Sequence, residues 1–195
     1  MQIIRDSSEE EMVLMFLAAE VDSPQFGRGA RGALGEISLV RNPDLSDATA
    51  NARRKGALAT YRGYGMNKLL FEGFPRMVAW KLVEVTVSEL GKFHYARVTP
   101  WTTLSKGSLL VHDGAANVQT VPAEYANANI LAVERAIAGH QAFPPLIATA
   151  QATDDRHFLL EGHTRASAYV RALAPNETLQ VIIGYVADLS GWRWL

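Results

Sequence analysis

The sequence predicts an α/β fold, with an α/β domain over residues 79–195 behind a mainly helical region over 1–78. Three observations predict it. From residue 79 onward, short runs rich in β-branched residues alternate with helix-like stretches, the pattern of an α/β domain. Before that point, apolar residues recur at helical spacing and the segment ends carry capping residues and breakers. The 195 residues, 48% hydrophobic and 20% charged, make one domain or one domain with an extension, whose core needs no disulfide or metal staple.

The first helix opens at Ser7, which has Glu10 three residues on in the spacing of a capping box. Glu9, Glu10 and Glu11 suit the positive end of the helix dipole, and Met12, Met15, Phe16 and Ala19 form an apolar stripe. Pro24 and Gly27 end it. Gly27 to Gly35 reads as a glycine-rich connection in which Arg28 and Arg31 could hold an anion; it lacks the Lys-Ser/Thr ending and preceding strand of a P-loop. Asn42-Pro43-Asp44 is a turn, and Ser46 or Asp47 caps a helix running to about Thr60. That helix carries the densest basic cluster, Arg53, Arg54 and Lys55, which reads as solvated surface because adjacent charges point around a helix. A shorter helix is expected from Asn67 to Glu72, before Pro75.

Ala79 to Val87 alternates and is β-branched, so it reads as a strand; Phe93 to Val98 is a second extended piece, with an irregular stretch over Thr99 to Gly107. Ser108 to His112 is expected to be a strand ending in an Asp113-Gly114 turn. Asn127 to Ala138 fits a helix stopped by Gly139. Leu146 to Ala150 and His157 to Leu160 are strands around an Asp154-Asp155-Arg156 turn. A helix then runs from about Arg165 to Leu173, and Leu179 to Val186 is the last strand. Trp192 and Trp194 read as a terminal cap docked on the core.

Composition removes several classes of function. With no Cys there is no disulfide, thiolate zinc site, iron–sulfur cluster or cysteine nucleophile. No apolar run reaches the ~20 residues of a membrane span, and Met1 to Asp6 lacks signal-peptide character, so a cytoplasmic protein with no membrane partner is the expectation. The net charge of −1 is unevenly laid out: residues 1–20 carry one basic and five acidic groups, 21–81 carry ten and five, and 82–195 carry eight and ten. A basic middle region over 27–62 therefore leaves nucleic acid open as a partner.

The chemistry concentrates where a strand ends at Leu160, Gly162 turns the chain and a helix begins. Such a turn points the free N–H groups of the helix outward, where they can hold an anion. Glu161, His163, Thr164 and Arg165 crowd the same point. A carboxylate can bind Mg²⁺ or accept a proton, an arginine can clasp phosphate and a histidine can shuttle a proton; together these suit phosphoryl transfer. The competing reading is a helix start with Arg165 paired to Glu161. Ser105 and Lys106 in the polar stretch 102–108, and His140 and Gln141 after the helix stop, are weaker candidates. For them, a plain loop and a helix C-terminus are the structural alternatives.

Pro144-Pro145-Leu146-Ile147 after a helix ending in Gly139, followed by His157-Phe158-Leu159-Leu160-Glu161-Gly162-His163-Thr164-Arg165-Ala166-Ser167-Ala168, resembles the ParB/sulfiredoxin superfamily. The resemblance covers about residues 127–175. It implies a ParB/sulfiredoxin-like domain in which Gly162, His163, Thr164, Arg165 and the helix start bind nucleotide phosphates. Glu161 would stand where ParB-like free-serine kinases carry an Asp that meets Mg²⁺. Sulfiredoxins need a cysteine in this turn, which this chain lacks. The helix-turn-helix module of chromosome-partitioning ParB proteins does not follow the turn here. The resemblance thus implies a nucleotide-binding protein with Mg²⁺-dependent phosphotransfer to a small molecule, or nucleotide hydrolysis, with Glu161 and His163 as catalytic groups. On that expectation Arg165→Ala abolishes nucleotide binding and leaves the fold intact. The alternatives from other classes are a DNA-associated accessory protein or ParB-like nuclease using residues 27–62, and a non-catalytic interaction protein.

Overall fold

A computed structural model describes all of residues 1–195. One mixed five-stranded sheet, in the order β1-β2-β5-β3-β4, separates two helical layers. The strands are β1 (Gln2–Asp6), β2 (Ala79–Thr86), β3 (Leu146–Gln151), β4 (His157–Glu161) and β5 (Thr178–Val186). Neighbours pair antiparallel except β3 and β5, which run parallel. Side chains alternate across the sheet, as strand geometry requires. Trp80, Leu82, Ile147, Phe158, Leu160 and Ile182 enter one core, while Val83, Val85, Leu146, Ala148, Leu159, Val181 and Ile183 enter the other.

The first core is covered by α1 (Glu9–Val21), α2 (Gly27–Leu34), α3 (Ser38–Arg41) and α4 (Ala48–Arg62), together with the C-terminal residues. Helix α1 starts one residue later than the Ser7 spacing predicts. Ser8 is its N-cap and accepts from the Glu11 N–H at 3.1 Å, while the Ser7 hydroxyl donates to the Glu11 carboxylate. Asp47 caps α4 by accepting from the Thr49 and Ala50 N–H groups, as expected. The expected connection at Gly27 to Gly35 is instead helix α2. Its Ala30 and Leu34 are buried on α4 and α1, and Gly29 lets the Tyr61 ring close in. Leu69–Phe71 is a single 3-10 turn within the expected short helix. Trp192 and Trp194 dock as predicted, their indole N–H groups donating to the Leu70 and Leu69 carbonyls at 2.8 and 2.9 Å.

The second core is covered by α5 (Val87–Leu90), α6 (Trp101–Leu104), α7 (Val111–Asn117), α8 (Ala126–Ala138) and α9 (His163–Ala172). Three expectations fail here. Phe93 to Val98 is not a strand: only His94 pairs, its N–H donating to the His157 carbonyl at 2.7 Å while its own carbonyl accepts from Leu159 at 2.8 Å. Ser108 to His112 is not a strand either. Val111, Ala115 and Val118 recur at helical spacing and are buried, so the chain coils into α7 and Asp113-Gly114 lies inside it. Gly114 is required there because the Tyr95 ring occupies the space of a side chain. The stretch after Thr99 contains α6, which buries Trp101 and Leu104.

Candidate functional site

Strand β4 delivers Glu161 to the edge of the sheet, and α9 begins two residues later. Gly162 makes that reversal at φ +93°, where a side chain would be strained and would strike Leu146. It is the N-cap of α9 but brings no side chain to the first N–H groups. Those of His163, Thr164 and Arg165 precede the first helical bond, Ala166 N–H to the Gly162 carbonyl at 2.7 Å, and have no protein acceptor. The three residues that carry them line a cleft of about 600 Å³. One wall comes from α1 and the Phe26 loop, another from α8 and residues 141–144, and a third from Ala96, Val98 and Trp101. Most of this lining is apolar or aromatic, and Glu20, Arg62, Glu161, His163, Thr164 and Arg165 gather at one end.

The cleft therefore has walls from both halves of the chain. Glu20 and Arg62, which the sequence did not single out, belong to it as fully as Glu161 and Arg165. Glu20 is 4% exposed and pairs with Arg62 across α1 and α4. Burial raises its carboxyl to about 7, against the pull of Arg62 and with a further push from Glu161. The sequence signal available was a glutamate in the last turn of α1, directly after the apolar run Met12 to Ala19.

Arg165 is almost fully buried. One of its terminal nitrogens donates to the Pro144 carbonyl and another pairs with Glu161. Its guanidinium thus ties the start of α9 to the segment leading into β3. Burial pushes the Glu161 carboxyl up despite Arg165. The pairing alternative is what the geometry displays, and Arg165→Ala would remove a structural tie as well as a cleft residue. His163 stacks on Tyr95 and Trp101, at centroid distances of 5.8 and 5.3 Å. Its Nε2 accepts from the Ala96 N–H at 3.2 Å, which assigns the proton to Nδ1. Burial and the nearby Arg62 charge hold its imidazole down at about 3, so near neutral pH it is a neutral donor rather than an acid.

The weaker candidates separate. Gln141 lines the cleft, whereas His140 is exposed beyond it, in a left-handed conformation after the C-terminus of α8. Ser105 is buried, donating to the Trp101 carbonyl at 2.8 Å and accepting from the Leu109 N–H at 3.1 Å; Lys106 is exposed, and neither lines the cleft. The basic cluster is not one solvated surface. Arg54 is buried and donates to the Leu39 and Asp44 carbonyls, while Arg53 pairs with Glu36 and Lys55 with Glu9. No helix is long and apolar enough to cross a membrane.

The donor set does not fit a protein-held Mg²⁺. The Glu161 carboxylate faces the Arg165 guanidinium, and no three His, Asp or Glu side chains are grouped so that they could hold a metal ion. Comparison with protein-family models, with curated proteins and with solved structures gives no match.

Proposed function

We propose that this protein binds a nucleotide in the cleft, with its phosphates at the start of α9 and its nucleoside against the apolar walls. The observation that carries the reading is a helix start with three unpaired N–H groups, on residues that line a cleft of about 600 Å³ together with the Glu20–Arg62 and Glu161–Arg165 pairs. Backbone N–H groups at a helix start, a hydroxyl and a neutral imidazole donor favour phosphate oxygens over a carboxylic acid or an apolar ligand. A cleft of this size, mostly apolar with few convergent polar groups, is the general form of a small-molecule site. The resemblance of Glu161 to Arg165 to ParB/sulfiredoxin turns points to the same end of the cleft and adds support.

In this reading Thr164 and His163 donate to phosphate, Gly162 leaves the backbone accessible and Arg165 holds the turn in place. Mg²⁺ enters, where it is needed, on the phosphates themselves rather than on Glu161. Transfer or hydrolysis of the terminal phosphoryl group is the reaction class that such a site serves, through positioning and charge. The nucleic-acid reading is less favoured because, of its densest basic cluster, Arg54 is buried on backbone carbonyls and Arg53 and Lys55 already pair with Glu36 and Glu9.

The test is a thermal-shift panel of ATP, ADP, CTP and GTP, each with and without Mg²⁺, on the wild type and on Thr164→Glu. A carboxylate in the first turn suits the α9 dipole, so the variant keeps its fold while repelling phosphate. Ligand at about 100 times its dissociation constant adds about 2.7 kcal/mol to wild-type stability, and the shift is lost in Thr164→Glu. No shift with any nucleotide overturns the reading.

A further inference from the structure

Two arginines line the cleft, and only Arg62 has a terminal nitrogen without a partner in the protein. Arg165 is engaged by Pro144 and Glu161. Arg62 meets Glu20 through Nε, at 3.1 Å, and Nη2, while its Nη1 makes no hydrogen bond within the protein. The guanidinium lies over the rings of Phe26 and Tyr61, its Cζ 4.2 and 4.5 Å from their centroids, contacts that help to fix its position. Of the pair, Arg62 is the accessible partner, with 21% of its side chain exposed against 5% for Glu20. Its charge is felt at both Glu161 and His163, which places it within electrostatic reach of the start of α9.

The charge balance of the cleft adds a constraint. Glu20, Asp22 and Glu161 face two arginines, an unfavourable setting for a polyanion. Asp22 pairs with Arg41 on the solvent side, and Glu161 keeps Arg165. Glu20 is the remaining carboxylate, and its only cationic partner is the guanidinium an entering phosphate would claim. An ionised carboxylate stripped of its partner while buried is expensive, and protonation relieves that cost.

We propose that Arg62 is the cation that receives the ligand's phosphate and that Glu20 is its displaceable counter-ion, which takes up a proton from solvent as the phosphate takes its place. This rests on the nucleotide reading of the cleft. The groups acting on Glu20 are Arg62 and Tyr61 from α4 and Glu161 from the end of β4, while His163 and Arg165 from the start of α9 line the same cleft. Tyr61 is pushed up and stays protonated, and His163 stays neutral, so neither titrates between pH 7 and 9. Glu20, at about 7 with Arg62 beside it, takes up about half a proton at pH 7 and nearly a whole one at pH 8.

The experiment is calorimetric titration of the full chain between pH 7 and 9, above the ~6 of a phosphate monoester, with the proton uptake of each probe referred to its own free ionisation at the same pH. The probes are the nucleotides above and inorganic tripolyphosphate, each in buffers of different ionisation enthalpy. Proton uptake on binding, with affinity falling close to tenfold per pH unit above 7.5, supports the exchange. So does Glu20→Gln, which keeps the shape of the pair, if it binds without proton uptake and more tightly than the wild type at pH 8.5. Arg62→Gln should weaken binding at least tenfold. Nucleotide binding without proton uptake overturns the exchange and leaves the nucleotide reading standing. Tripolyphosphate binding with proton uptake, and no gain from the nucleoside, keeps the exchange and overturns the nucleotide reading. Binding by none of the anions overturns both.

Discussion

Arg165 donates to a backbone carbonyl and neutralises a buried carboxylate, so its loss is felt first in the fold. Arg165→Ala leaves Glu161 buried without a partner and is expected to cost about 3–5 kcal/mol in chemical denaturation. Replacing both members, Glu161→Gln with Arg165→Met, removes the stranded charge and should cost clearly less; an equal loss would show that the pair is not what holds the turn. Two other residues of the cleft set opposite pH dependences. His163 stays neutral in the fold down to about 3, whereas its ordinary value is 6.5. The unfolded chain therefore binds the extra proton, and stability is lost as pH falls from about 6.5 toward 3. Glu20 is raised from 4.5 to about 7, so the folded chain binds the extra proton and stability declines as pH rises between those values. That shift amounts to about 3 kcal/mol in total. Denaturation across pH 4–8 should show a flattened acid limb in His163→Gln and a flattened limb between pH 4.5 and 7 in Glu20→Gln. Wild-type slopes in both variants would contradict these assignments.

Among the elements, helix α2 is the one whose glycines obscure it. Gly27, Gly29 and Gly32 lower helix propensity, and the segment becomes helical because Ala30 and Leu34 are buried against α1 and α4. Two substitutions distinguish this helix from a flexible connection. A side chain at Gly32 meets nothing, so Gly32→Ala should stabilise the protein by about 0.5–1 kcal/mol. A side chain at Gly29 lies 2.7 Å from the Tyr61 ring, so Gly29→Ala should destabilise it. Equal, near-zero effects in urea melts would mean that no helix packs there. Helix α7 carries the same lesson. Its Asp113-Gly114 pair reads as a turn, yet Asp113 lies in the first turn of the helix and Gly114 answers to Tyr95, which is distant in sequence. Elements with their own caps and periodicity, such as α4 and α8, were legible; those dictated by a remote ring or a shared core were not.

For the whole molecule, the boundary near residue 79 marks a change of texture that the sheet and the first core both cross. Strand β1 pairs with β2, and the first core joins α1 to α4 with Trp80, Ile147, Phe158, Ile182 and Trp192. Residues 79–195 alone would leave that sheet face without α1 to α4, covered only by the C-terminal residues and Ala96. They are expected to show no cooperative thermal transition, whereas the full chain unfolds in a single one. A truncated chain that melts cooperatively would restore the two-part division. The cleft follows from the same arrangement, since its walls need α1 and α4 as well as α8 and α9.

Local physics alone determined the α/β class, four of the five strands, the principal helices and the reversal of the chain at Gly162. These depend on alternation, capping and glycine geometry within a few residues of each other. The tertiary structure decided the rest. Residue types allowed Arg165 to be a ligand or a tie, and only the position of Pro144 beside it selects the tie. Glu20 and Arg62 are 42 residues apart in sequence. No spacing pattern joins them to Glu161, and they meet it because both helical faces must bury themselves on the sheet.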